Sequence, residues 1–268
     1  MLNELCTRLA AQDAVLVSIE ATQGSVPRGA GAWMAVFADG VLNTIGGGHV
    51  EFQAIDAARK RLAGLPGDNT LRYTLGPSLG QCCGGAVHLR LERVTAADIP
   101  ALEARLATRL TPVALFGGGH VGKAMVKVLG LLPFAVTWID SRDEIFPPDV
   151  PANVQCEHSD PVQGAVKQLV PGSRVLVMSF SHAEDLDVVA ACLARLRQHD
   201  DLPTIGLIGS ATKWATFRHR LQERGYADAE LARITCPIGL PGIHRKEPEV
   251  IAVGVAAQLL QLETSSQP

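Results

Sequence analysis

Short apolar runs alternate with amphipathic stretches along the whole chain, and the rhythm changes near residue 111. Before it, Ala14–Glu20, Trp33–Phe37, Val41–Ile45, Leu71–Leu75 and Ala86–Val94 have strand character. Asp39-Gly40, between two of these runs, is a tight-hairpin signal. Residues 2–12 suit a short helix. Val50–Leu62 suits a longer one, with Phe52, Ile55, Ala58 and Leu62 forming its apolar face. Ala101–Leu110 reads as a helical connector broken by Thr111-Pro112. Beyond it the pattern is regular: strands at Val113–Phe116, Phe134–Asp140, Asn153–Glu157, Arg174–Ser179 and Pro203–Ile208, with helices to Leu131, near 161–169, near 184–198 and near 211–224. A last helix spans Glu247–Gln261. Apolar strands alternating with helices imply a parallel sheet covered on both faces. The prediction is an α/β protein: a mixed domain over 1–98, a connector over 99–112 and a parallel-sheet domain of Rossmann type over 113–268.

Composition narrows the class. The chain has 268 residues, 47% of them hydrophobic and 19% charged, as expected of a folded protein with a substantial core. The net charge of -3 is dispersed, and no basic stripe suggests nucleic acid. The densest basic run, Arg59-Lys60-Arg61, falls where cations favour a helix C-terminus. No apolar run approaches the ~18 residues of a membrane span. No basic leader precedes an apolar block, so a cytoplasmic location is expected. Six scattered cysteines suit reduced thiols rather than a disulfide framework.

Gly117-x-Gly119-x-x-Gly122 follows a strand and opens a helix, and Asp140 ends the next strand 23 positions after Gly117. That context fits a dinucleotide-type site: glycines admit a phosphate, the helix start carrying His120 supplies amides, and Asp140 accepts from a diol. The competing reading gives these glycines only a packing role. Gly-Gly-Gly-His-Val occurs at 46–50 as well as 117–121, which suggests two similar strand–turn–helix sites. After the Arg174–Ser179 strand, His182, Asp185 and Asp187 are candidates for a ligand or metal, while Ser181 and Glu184 match a capping box. Ser210 and Lys213 fit either a phosphate or an N-cap followed by a solvated lysine.

In the first half, Pro27 stiffens a glycine-bearing loop on which Arg28 offers a planar anion fork. His49 and Glu51 stand at a second helix start, although Glu51 is also accounted for by the helix dipole. Cys82 and Cys83 lie between glycines. Adjacent Cα atoms are ~3.8 Å apart, short for a disulfide. A structural zinc site would need more ligands. The uses that remain, besides inert burial, are thiolate nucleophile, sulfur carrier or soft ligand to a soft metal.

Gly24-Ser-Val-Pro-Arg28, Ile45-Gly-Gly-Gly-His-Val-Glu51 and Leu79-Gly-Gln-Cys-Cys-Gly-Gly85 resemble the amino-terminal motifs of the xanthine dehydrogenase accessory proteins of the XdhC/CoxI type. Phe116-Gly-Gly-Gly-His-Val-Gly122, Ile139-Asp-Ser-Arg142, Ile205-Gly-Leu-Ile-Gly-Ser210 and Cys236-Pro-Ile-Gly-Leu240 are similar to that family's Rossmann half. The resemblance implies a chaperone of the molybdenum cofactor (molybdopterin) rather than an enzyme. Such a protein supports cofactor sulfuration with a cysteine desulfurase as donor. It then delivers the cofactor to apo-xanthine dehydrogenase or a related molybdenum hydroxylase. On this reading Gly117, Gly119, His120, Gly122, Asp140 and His182 hold the phosphate and pterin end. Cys82 or Cys83, with Arg28, His49 and Glu51, faces the molybdenum across an interdomain cleft, and a symmetric homodimer is the default assembly. Two other classes stay open: an NAD(P)-dependent oxidoreductase, with Asp140 on the ribose and His182 as acid or base, and a thiol redox or metal-trafficking protein.

Overall fold

The computed structural model describes residues 1–75, 84–107 and 110–264, and the chain divides into two compact units, Met1–Ala107 and Thr108–Pro268.

The first unit is built on an antiparallel sheet of β1 (Ala14–Gln23), β2 (Trp33–Phe37), β3 (Gly40–Asn43), β4 (Thr70–Thr74) and β5 (Ala86–Val94), in the order β3-β2-β1-β5-β4. Both faces are covered, so its central strand is a continuous apolar run rather than an alternating one. Val15, Val17, Ile19, Met34, Val36, Val87 and Leu89 pack beneath α2 (Gly48–Leu62). Leu16, Ala35, Phe37 and Val94 pack against α1 (Leu2–Leu9) and α3 (Ile99–Leu106). The expected connector helix is therefore part of the first unit: Ile99, Leu102 and Leu106 join Leu5 and Leu9 in this layer. One expected core residue is misplaced. The buried stripe of α2 is Val50, Ala54 and Ala58, and Phe52 is 72% exposed. A stripe at i, i+4, i+8 turns the position between Val50 and Ala54 to solvent. The basic run Arg59-Lys60-Arg61 occupies the last turn of α2, as expected.

The second unit is a parallel sheet of β6 (Thr111–Phe116), β7 (Phe134–Asp140), β8 (Val154–His158), β9 (Arg174–Val177), β10 (Thr204–Leu207) and β11 (Ile234–Thr235), in the order β11-β10-β9-β6-β7-β8. One face packs on α4 (His120–Leu129) and α8 (Pro248–Thr264) through Leu115, Trp138, Met125 and Val255. The other packs on α5 (His182–His199) and α6 (Ala211–Glu223) through Phe116, Val177, Val189 and Phe217. The predicted helix near 161–169 is a 3₁₀ segment, Val162–Gln168. Short elements at Asp143–Ile145 (3₁₀), α7 (Asp228–Leu231) and β11 lie outside the predicted set. Strand order reverses between β6 and β9, so their carboxyl ends open on the crevice where such sheets bind ligands. Among the described residues, no helix is long and apolar enough to cross a membrane.

Candidate functional site

In the first unit, the Gly24–Arg28 loop, the glycine loop before α2 and the Gly84-Gly85 entry to β5 meet at one end of the sheet. β3 stops because Asn43 turns into the left-handed region (φ 65°), and Gly46, Gly47 and Gly48 follow with φ of 124°, 74° and 71°. Only glycine accepts such a run without strain, which explains three in succession before α2. Gly46 abuts the Pro27–Arg28 loop: a Cβ on it would stand 2.8 Å from Pro27 Cβ and 3.3 Å from Arg28 Cγ. A Cβ on Gly85 would collide with the carbonyl oxygens of Gln23 and Ser25. The Gly24–Val26 turn and the Gly84-Gly85 strand entry therefore touch backbone to backbone. Glu51 ties the glycine loop together. Its Oε2 accepts from Ile45 N (2.9 Å), Gly47 N (3.1 Å) and Thr44 Oγ1. This role exceeds a helix-dipole effect, and the carboxylate serves the loop's own amides.

Arg28 and His49 are exposed beside this junction, with His49 Nε2 2.9 Å from Gln53 Nε2. The cavity behind the loops, lined by Pro27, Ile45, Glu51 and Leu75, is about 10 Å³, room for a single water. A larger ligand must approach from the outer side. Cys82 and Cys83 lie outside the described residues. The described chain leaves at Leu75, whose N–H donates to Gly85 O at 2.7 Å, and returns at Gly84.

In the second unit, the glycine turn after β6 is packed hard. Gly117 has φ 123°, and a Cβ on it would strike the Met178 carbonyl at the end of β9. A Cβ on Gly122 would strike Gly117 O, which also accepts from Trp138 Nε1 at 2.9 Å. Gly118 is covered by the Ile145 side chain, 2.6 Å from the place a Cβ would take. Gly119 has open space there, and Gly119 and His120 are exposed. The packing and ligand readings thus divide among the glycines: 117, 118 and 122 are needed for close approach of protein atoms, and 119 faces outward.

Asp140 is 1% exposed and its carboxylate is saturated by protein donors. Oδ1 accepts from Arg142 N (2.9 Å) and Nε (2.8 Å); Oδ2 accepts from Gly118 N (2.5 Å) and Arg142 Nη2 (3.0 Å). Burial alone would raise its pKa. The hydrogen bonds from Arg142 and Gly118, with the guanidinium charge, outweigh that and hold it below the ordinary carboxylate range.

The loops after β9 and β10 consume most of the acidic candidates. Ser181 caps α5 through Glu184 N (3.2 Å), as expected, but Glu184 reaches back to Phe180 N (3.1 Å) and also accepts from Ser141 Oγ (2.7 Å). Asp185, 2% exposed, accepts from Ser179 N (2.7 Å) and pairs with Lys213 Nζ (2.5 Å). Lys213 is not solvated. Its stem folds over Gly209, which has no Cβ to block it, and its ammonium also reaches Ile208 O at 2.8 Å. Ser210 is the N-cap of α6. Asp187 pairs with Arg224 on the surface (2.9 Å). His182 is exposed, its ring edge-on to Phe217 with centroids 6.2 Å apart. Among the described residues, no group of three or more His, Cys, Asp or Glu side chains could hold a metal ion. His182, Asp185 and Asp187 are thus not a metal triad, because Lys213 and Arg224 engage the two acids. Cys192 is buried and pushed up to about 12 by burial, so it is an inert core thiol. The Ser179 hydroxyl is buried without a partner among the described residues. Sequence reasoning missed the part played by Arg142, although its position two residues after Asp140 is the available signal.

These two sheets define a two-unit α/β protein whose second unit is of Rossmann class, with a glycine turn at its switch point. Residues 113–259 match the XdhC Rossmann domain and residues 8–74 match the XdhC and CoxI family. The chain belongs to the XdhC family. The amino-terminal match ends before Cys82. Among curated proteins, the uncharacterized protein YqeB of Escherichia coli (strain K12) is 27% identical over 257 residues, covering 94% of this chain and 44% of YqeB. The chain thus spans less than half the length of that relative. A solved structure described as a xanthine dehydrogenase from Bacillus halodurans superposes with a TM-score of 0.78 over 99% of this chain and 96% of the other, at 21% identity. That likeness is one of fold.

Proposed function

We propose that this protein binds the molybdenum cofactor as cargo, supports its sulfuration and passes it to an apo-xanthine dehydrogenase or related molybdenum hydroxylase, with a cysteine desulfurase as sulfur donor. The observation that carries the reading is the convergence in the first unit. Two motif loops separated in sequence meet at one sheet end, and the Gly84-Gly85 entry, which directly follows Cys82-Cys83 in sequence, is locked to the Gly24–Val26 turn of the first of them. The donors fit the cargo's chemistry. Arg28 is an exposed anion fork, His49 an exposed polar group, and the two thiols are soft groups suited to a soft metal. In the second unit, Gly119 caps the start of α4 with open space beside it and His120 is exposed, as an incoming phosphate requires. On this reading Cys82 or Cys83 relays or orients sulfur at the molybdenum, while Glu51 holds the glycine loop in place. The cell compartment is the cytoplasm and the assembly a homodimer.

The test is anaerobic binding of molybdenum cofactor and of NAD(H) to the native chain and to Cys82→Ala/Cys83→Ala. Cofactor binding weakened at least about tenfold in the double variant is expected. So is failure of that variant to mature an apo-hydroxylase. Full maturation by the double variant sinks the thiol role. NAD(H) binding alone, unchanged by the substitutions, replaces the reading with an oxidoreductase.

A further inference from the structure

We propose that Arg142 is a specificity-determining residue that closes the carboxy-terminal glycine turn to ribose-bearing dinucleotides, aided by Ile145 and by a clasp of Ser141–Glu184 and Arg142–Phe180. A dinucleotide bound at such a turn makes three demands: a carboxylate free to accept from the ribose diol, bare backbone for the pyrophosphate, and an open path from the second strand across the first.

Protein groups already stand in the way of the first and third demands and crowd the second. Asp140 has two donors on each oxygen, three of the four from Arg142, so a diol finds no acceptor until Arg142 withdraws. The Ile145 side chain covers Gly118 and so narrows the bare backbone of the turn to Gly119, the position a pyrophosphate approaches. Because the sheet order is β9-β6-β7, the loops after β7 and β9 flank the turn after β6. These flanking loops are joined to each other. Ser141 Oγ donates to Glu184 at 2.7 Å, and the Arg142 guanidinium stacks over Phe180 with 4.3 Å to the ring centroid. Phe180 is 65% exposed, so the stack is a surface clasp rather than a core contact. The closure is selective. Gly119 and His120 stay open, so a ligand without the ribose does not meet the clasp. This proposal stands apart from cofactor handling, since its probes are NAD⁺ and AMP.

The experiment is calorimetric titration of NAD⁺ and AMP into the full chain and three variants: Arg142→Ala, Ile145→Ala/Phe180→Ala, and Arg142→Ala/Asp140→Asn. The native chain is expected to show no saturable binding. Arg142→Ala should gain at least about tenfold in affinity, and adding Asp140→Asn should erase the gain by removing the diol acceptor. Ile145→Ala/Phe180→Ala keeps the Asp140–Arg142 pair, so it tests the clasp even where Arg142→Ala fails to fold, and should gain less. Tight NAD⁺ binding by the native chain overturns the proposal. So does the absence of any gain in Arg142→Ala and Ile145→Ala/Phe180→Ala, whichever of them folds.

Discussion

The same five residues, Gly-Gly-Gly-His-Val, open a helix in each unit and fold in two different ways. At 46–50 all three glycines take positive φ, and the helix begins at the third. At 117–121 only the first does, and the helix begins at the histidine. A carboxylate binds the turn's own amides in both, but from different places. Glu51 comes from within the helix it opens and uses one oxygen for its loop's amides; Asp140 comes from the neighbouring strand, takes the Gly118 amide with one oxygen and gives the other to Arg142. A short motif therefore does not fix a turn. The surrounding atoms decide: at the first position Gly117 passes under the Met178 carbonyl while Gly46 packs on the Pro27 side chain, and at the second Gly118 is covered by Ile145 while a Cβ on Gly47 would meet nothing within 4 Å.

The sharpest way to break this comparison is Gly122→Ala. Its methyl has only backbone to displace, so a loss above about 4 kcal/mol is expected by chemical denaturation. Next comes the pair Asp140→Asn and Glu51→Gln. An asparagine must turn its NH₂ toward Arg142 or Gly118 N–H, costing about 2–3 kcal/mol, moderated because Arg142 is partly solvated. A glutamine can present its carbonyl to all three donors of Glu51 and should cost less than about 1 kcal/mol. Equal losses would show that the two carboxylates do the same job.

Acid provides a related test. Asp140 has a depressed pKa in the folded chain, so the stability it adds is complete above the unfolded value of about 3.9 and is lost as pH falls through the lower folded value. Glu230, held down to about 2 by Arg197, acts in the same direction. The melting temperature should fall between roughly pH 4 and pH 2, and less steeply in Asp140→Asn.

Smaller effects separate the glycines further. Gly47→Ala is strained only through its backbone (φ 74°, ψ −169°), for about 1–3 kcal/mol, while Gly119→Ala (φ −69°, open space) should lie within about 0.5 kcal/mol of native. Phe52→Ser should be as quiet as Gly119→Ala, because the ring lies outside the core.

Strands and helices with a clear apolar period were legible in the chain, as was the Rossmann half, since β6, the glycine turn and α4 follow from local rules. Phe52 was misread because an i, i+3 stripe through it competes with the i, i+4 stripe of Val50, Ala54 and Ala58, and small alanines signal weakly. Lys213 was misread because its burial depends on Gly209 and on Asp185 from another helix. Arg142 was recognised only as part of a motif. Its hold on Asp140 is a matter of side-chain direction, which spacing does not encode. The loops of the first unit were legible as motifs from the residues, but only the family resemblance set them beside one another, because their meeting depends on the order of the strands that carry them.

The folded-back Lys213 leaves a mark that chemistry can read. An amine-reactive reagent needs a clear approach to the nitrogen, and this one has none: it is held between Asp185 and a main-chain oxygen, with its side chain only 10% exposed. Surface lysines such as Lys60, whose side chain is 61% exposed, should acylate readily. In a peptide map of the labelled protein Lys213 should remain unmodified, and its sudden labelling on warming would report that α5 and α6 have parted.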